Sequence, residues 1–403
     1  MRLFGSLFWR LLLLLLMLAP GSQAQERAED ERYVDRSLSH LDPSPQLARE
    51  KRREAREGDW AWTLLGSFAA GYDSNIYESP SNETGSGLGQ LGVRAQGLRW
   101  FSDGDRLKLS ATATGSPYLE TNDISEYMQQ VKARYRWKLS DRFRLGWSAR
   151  VEHQNDNEFD QFGGELSKNY EYFDYRTAPS VSMRLWKNAK LRLAVPVELK
   201  DYTEQSNSES LDWWAYGPEI SFQTKLSSSI KAIGRYGFSV RTYDEDSASS
   251  ADGSSLAINP EEKHHYHHAR AELAWSPSKS LGFTLGYRLR HKADQFEGYE
   301  TYTDQRVKLE MTLNPTKALT LALMGSFAHR LYDGREADDE DADDAKLEYD
   351  RFRAAVFARY RVSKNISWFA RYDFADRESN RETGSTYRDY RLHRVLAGVS
   401  FAY

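Results

Sequence analysis

The sequence predicts an all-β fold, a transmembrane up-and-down antiparallel β-barrel of about 16 strands. From Trp60 onward, apolar and polar side chains alternate with period two, which sets them on opposite faces of strands. Tight turns and long polar loops alternate between these segments. Beyond residue 24, no apolar run approaches the roughly 20 residues of a membrane-spanning helix. Yet 24 Tyr and 11 Trp accompany a charged fraction of 28%. A barrel reconciles the two by hiding its apolar residues at every second position.

The chain opens with Arg2 and Arg10, the apolar run Leu11 to Ala19, and Pro20-Gly21-Ser22-Gln23-Ala24, the pattern of a secretory signal peptide (residues 1–24) cut after Ala24. The run is too short to span a bilayer and no Cys follows it, so neither an anchor helix nor a lipoprotein is expected. Residues 25–59 are densely charged, contain Pro43 and Pro45, and read as a mobile periplasmic segment with a short helix near Leu47 to Glu57. With no cysteine in the chain, a disulfide framework, thiolate-bound zinc and a Cys nucleophile are excluded.

Barrel strands are expected over 60–73, 90–101, 106–116, 125–139, 142–153, 170–186, 189–202, 212–225, 229–243, 264–275, 280–291, 302–313, 318–331, 347–362, 365–375 and 387–403. In the first, Trp62, Leu64, Phe68 and Tyr72 oppose Thr63, Ser67, Ala69 and Asp73. In the fourth, Val131, Ala133, Tyr135 and Trp137 oppose Lys132, Arg134, Arg136 and Lys138. Leu281, Phe283, Leu285, Tyr287 and Leu289 oppose Gly282, Thr284, Gly286, Arg288 and Arg290. A helix would mix arginine with leucine on one face of these runs. The last strand sets Val395, Val399, Phe401 and Tyr403 against Gly398, Ser400 and Ala402. It resembles the terminal strand of outer-membrane barrels, which implies that Val399, Phe401 and Tyr403 form the signal read by the barrel-insertion machinery.

Residues 102–105, 140–141, 187–188, 226–228, 276–279, 314–317 and 363–364 are tight turns rich in turn formers. Between them lie longer loops such as 74–89, 154–169, 244–263 and 333–346. Short turns in the periplasm and long loops outside are the outer-membrane pattern, and an even strand count puts both termini in the periplasm. Trp100, Trp137, Trp186, Trp275 and Trp368 lie near the short turns; Tyr77, Tyr118, Tyr202, Tyr243, Tyr332, Tyr349 and Tyr387 lie at the opposite ends. Two aromatic girdles facing lipid are therefore expected.

With the large apolar face on lipid, basic residues gather inside. Arg134, Arg136, Arg150, Arg192, Arg235, Arg288, Arg290, Arg353, Arg359 and Arg371 are the expected anion-facing residues, opposed by Glu152, Glu198, Glu219, Glu272, Glu310 and Asp373. The whole chain carries a formal charge of -4, so acid must concentrate elsewhere; Glu336 to Asp344 holds seven carboxylates in nine residues. A barrel of this size holds water, and a cationic lining concentrates anions in it. The expected activity is a channel for anionic or polar solutes. The alternatives are that inward arginines pair with carboxylates to support the wall, or that the barrel is a non-conducting assembly or interaction partner.

His264-His265-Tyr266-His267-His268 alternates faces, so at most two imidazoles converge and no metal is expected. The acidic run lacks the spaced ligands and turn glycine of a calcium loop, and reads as a solvated external loop. His153, His329 and His393 occupy period-two wall positions, and without a Gly-x-Ser-x-Gly element no enzyme is expected. Expected partners are outer-membrane lipid and lipopolysaccharide and the insertion machinery; no nucleic acid and no cofactor is called for.

Gly71-Tyr72-Asp73-Ser74-Asn75-Ile76-Tyr77 resembles the opening strand of proteobacterial porin-like barrels, including the barrel of surface lipoprotein assembly modifiers. The resemblance implies an integral outer-membrane protein of a Gram-negative bacterium and says little about cargo; the Arg-rich wall suits small anionic solutes or, as an alternative, an export conduit for an acidic exopolysaccharide. It allows an oligomer, because porins of this size are often trimers. Assembly modifiers and exopolysaccharide exporters usually carry an N-terminal helical repeat domain, and residues 25–59 are too short for one 34-residue repeat with caps.

Overall fold

A computed structural model describes residues 51, 55, 60–76, 83–101, 104–120, 125–156, 170–203, 212–337, 345–380 and 389–403. The expected signal peptide, most of the charged segment and acidic residues 338–344 lie outside the described residues. Of the segment, Lys51 and Ala55 are described, and Ala55 is fully buried.

The described chain is a closed antiparallel barrel of 16 strands. β1 (Ala61–Asp73), β2 (Ser86–Trp100), β3 (Arg106–Ser116), β4 (Glu126–Lys138), β5 (Phe143–Asp156) and β6 (Tyr170–Trp186) each pair with the next. Two further walls are interrupted. β7 (Ala189–Ala194) and β8 (Val197–Tyr202) both pair with β6 and are separated by Val195-Pro196. β9 (Trp213–Tyr216) and β10 (Glu219–Lys225) both pair with β11 (Ile230–Ser247) and are separated by Gly217-Pro218. Proline has no N–H to give the ladder, so these walls break where it stands. The rest are β12 (Glu261–Trp275), β13 (Leu281–Asp294), β14 (Tyr302–Leu313), β15 (Leu319–Glu336), β16 (Lys346–Arg361), β17 (Ile366–Ser379) and β18 (Tyr390–Ala402). β18 pairs with β1 from Leu65 opposite Ala402 to Asp73 opposite Arg394, which closes the barrel.

Side-chain exposure follows the sequence alternation. On β1, Trp62, Leu64, Phe68 and Tyr72 are more than half exposed, while Leu65 and Ala69 on the other face are buried. On β18, Val395, Phe401 and Tyr403 are exposed and Leu396 and Ser400 are buried. Apolar side chains left outside a closed sheet fit lipid, the solvent in which their exposure costs nothing.

Five of the short turns share one device. Ser140, Ser227, Ser278, Thr316 and Ser363 each stand three residues before the next strand begins. Each side-chain oxygen accepts hydrogen bonds from the backbone N–H two and three residues on, at 3.0–3.3 Å. The hydroxyl thus satisfies backbone donors that reversal of the chain leaves unpaired.

One expectation is overturned. Tyr118, Tyr202, Tyr243, Tyr332 and Tyr349 do not face lipid: all are buried, at 7% exposure or less. The parity of their strands turns them inward, where cationic side chains stack on several of them. Tyr77 and Tyr387 lie outside the described residues. The tryptophan end holds for Trp137, Trp186, Trp275 and Trp368, which are exposed. Trp100 does not belong to it, because it is paired with inward Arg106, whose guanidinium lies 5.3 Å from its ring.

Candidate functional site

The inner face carries two different charge environments. Towards the long loops, cations are matched by carboxylates or aromatic rings. Arg150 contacts Asp174 at 2.5 Å and Glu198 at 3.1 Å, and Glu198 also takes Arg176 at 3.5 Å. Asp304, almost fully buried, is shared by Arg288 at 2.8 Å and Arg330 at 3.5 Å. Nearer the middle of the wall, Arg371 grips Asp373 through Nε and Nη2, both at 2.6 Å. Aromatic faces hold further cations: Lys200 lies 3.6 Å above Tyr172, Arg241 4.1 Å above Trp213, Arg330 4.3 Å above Tyr302 and Arg377 4.6 Å above Tyr349. Desolvated cation–π contacts of this kind are worth about 2 kcal/mol each.

Towards the short turns of β3 to β7, the pattern changes. Arg136 lies in the field of Arg106, Arg134, Arg144 and Arg192, and Lys190 in that of Arg106, Arg136, Arg144 and Arg192. Arg134, Arg136, Arg144 and Lys190 make no ion pair among the described residues. Cross-strand register brings the cluster together, since Arg106 stands opposite Arg136 and Lys138 opposite Arg144. Mutual repulsion is a cost, tolerable where water screens the charges.

Every arginine expected inside faces inward. Arg134 and Arg136 belong to the bare cluster; Arg192 and Arg235 share Glu219, at 4.0 and 3.7 Å. Arg150, Arg288 and Arg371 are the paired residues above, Arg290 is buried, and Arg353 and Arg359 line β16. A cavity of about 380 Å³ is lined by Lys108, Lys132, Arg134, Arg150, Arg176, Arg192 and Arg235, with Glu152 and Glu219. A smaller one, about 100 Å³, lies against Arg270, Arg288, Arg306, Lys308, Arg353 and Arg371. Sequence reasoning passed over Arg106, Arg176 and Lys190. Parity would have found Lys190, two residues before Arg192 on one face of β7; Arg106 and Arg176 are placed by the register that sets them opposite Arg136 and Arg150.

The Gly71 to Ile76 segment acquires a role at the closing seam. Buried Asp73 receives Arg394 Nε of β18 at 2.7 Å and the Tyr118 hydroxyl at 3.3 Å; Arg394 also reaches Glu126 at 3.7 Å. Ser74 exchanges two hydrogen bonds with His393, both at 2.9 Å, and Asn75 Nδ2 donates to the Arg391 carbonyl at 3.1 Å. Gly71 is required by close approach, since a Cβ there would lie 1.9 Å from the Val395 carbonyl oxygen. The segment is a latch between the first and last strands. An apolar stripe continues it inside, from Ile76, Leu88 and Tyr118 through Ala69 and Leu396 to Phe369 and Phe357.

Residues 262–403, from β12 to the chain end, match the family described as "Putative beta-barrel porin 2". The match covers about a third of the chain, the last strands of the barrel. Solved structures similar to this barrel include OccAB3 of Acinetobacter baumannii, at 11% identity and TM-score 0.47 over 86% of this chain and 100% of that one. OprB of Pseudomonas putida, in its high-pH structure, aligns at 10% identity and TM-score 0.45 over 88% and 97%. OccD3 of Pseudomonas aeruginosa aligns at 7% identity and TM-score 0.42 over 85% and 91%. No curated protein matches the sequence.

Proposed function

We propose that this barrel is a porin-like channel that favours anionic solutes, and that Arg134, Arg136, Arg144 and Lys190, at the short-turn end of β4 to β7, set the preference. The observation that carries the reading is the contrast in pairing: Arg134, Arg136, Arg144 and Lys190 lack ion pairs among the described residues, whereas most arginines higher in the barrel have them. A paired guanidinium adds little to the field in the channel. An unpaired one raises local anion concentration and lowers the barrier to entry. The long loops face the exterior and both termini the periplasm; Tyr403, exposed on the lipid side, then lies at the periplasmic rim, tied to β1 by its N–H and C=O on Leu64 at 2.8 and 2.9 Å.

The test is the reversal potential across planar bilayers in a potassium chloride gradient. Wild type is expected to pass chloride over potassium. Arg134→Gln/Arg136→Gln/Arg144→Gln should lower that permeability ratio severalfold at 0.1 M salt and have little effect at 1 M, where the screening length falls to about 3 Å. Cation preference in wild type, or a ratio unmoved by the triple change, removes the reading.

A further inference from the structure

The histidine run 264–268 has no place in the channel reading. It splits across the wall of β12: His264 is fully buried inside, whereas Lys263 and His267 are exposed and His265 half-buried on the outer face. On β13, His291 stands opposite His267, their rings 6.4 Å apart. Three imidazoles and one ammonium therefore gather on the outside of the barrel near its long-loop rim. The strands beneath are apolar on that side, with Leu285, Tyr287 and Leu273 exposed. The cluster begins where the lipid-facing band ends.

Neighbouring side chains orient the rings. The Tyr236 hydroxyl lies 2.8 Å from Nδ1 of His267, and Thr303 Oγ1 lies 3.1 Å from Nδ1 of His291. Phe238 packs against His265 and His267, with centroids 5.5 and 5.1 Å away. Each hydroxyl occupies the Nδ1 side of its ring, which leaves Nε2 of His267 and of His291 outside these two contacts. The outward faces of β12 and β13 carry a single carboxylate, Glu261, beyond Lys263. Among the described residues, no three His or acidic groups are arranged to hold a metal ion.

We propose that Lys263, His265, His267 and His291 form a docking site for the phosphorylated head group of a membrane lipid. The lipid-facing band continues into the cluster, at the depth where acyl chains give way to head groups. One full positive charge among several N–H donors is complementary to a phosphate, and the rings beside it offer a surface to the first acyl carbons.

The purified full-length barrel would be equilibrated in detergent with bisphosphorylated lipid A or its dephosphorylated counterpart, and retained lipid read by native mass spectrometry. Wild type should prefer the bisphosphorylated form roughly tenfold or more, the scale of one or two charge-assisted hydrogen bonds. The fourfold change Lys263→Gln/His265→Gln/His267→Gln/His291→Gln should abolish the preference, and His268→Gln, inside the wall, should keep it. Heat-modifiable mobility reports whether each variant folds; Lys263→Gln/His267→Gln serves if the fourfold variant does not. Equal retention of both lipids, a preference surviving the outward changes, or displacement of lipid A by millimolar inorganic phosphate would overturn the proposal.

Discussion

The long-loop and short-turn halves of the inner wall are built from the same residue types and use them differently. In the long-loop half a cation is a structural part: Arg288 and Arg330 converge on Asp304, and Lys200 lies over Tyr172. In the short-turn half Arg106, Arg134, Arg136 and Arg144 stand together and repel one another. An arginine count therefore says little about a channel's field; the partners of each arginine decide whether its charge reaches the solute.

Mutation separates the halves most sharply at Asp304. Removing it as Asp304→Ala leaves two guanidinium groups facing each other in a buried site, and breaking a buried pair in this way costs about 3–5 kcal/mol. Arg134→Gln/Arg136→Gln removes repulsion and should change stability by less than about 0.5 kcal/mol, or raise it. Urea unfolding in lipid vesicles, followed by tryptophan fluorescence, measures both. Equal losses would mean that the two halves are not distinct, and that the bare cluster also supports the wall.

The seam supplies an intermediate test. Asp73→Asn weakens Arg394 and the Tyr118 hydroxyl together, and a truncated buried charge pair of this kind should cost about 2–3 kcal/mol. A double-mutant cycle with Arg394→Gln should show coupling above about 1 kcal/mol, since the two residues touch. Coupling near zero would make the contact incidental and return Gly71 to Ile76 to the status of an unexplained likeness.

The fold was legible because a barrel wall has a period of two and leaves no other home for its apolar residues. Each expected strand has its counterpart, even the two walls that Pro196 and Pro218 interrupt. The inward arginines were legible for the same reason. What alternation could not deliver was pairing across strands, which depends on register: Arg394 meets Asp73 from 321 residues away. The tyrosine girdle failed because position along a strand was read without parity; Tyr202, Tyr243 and Tyr332 stand at the right height and on the inner face. The outward histidines were half visible. The faces of His265 and His267 followed from the run, but only the β12–β13 register adds His291.

A small loss is expected in the turns, and it bounds what the short-turn half contributes to stability. Ser278→Ala removes an acceptor for the Ser280 and Leu281 N–H groups, and Ser363→Ala one for Asn365 and Ile366. These turns are exposed, so water takes over the freed donors, and each change should cost only about 0.5–1 kcal/mol. The two sites share no partner and should add. If either alanine costs more than Asp304→Ala in the same urea titration, the weight of the fold sits at the short-turn rim, and the division into a supporting half and an electrostatic half is wrong. Losses near the expected scale leave the rim a weakly stabilised edge, where repelling arginines can stand because little else depends on them.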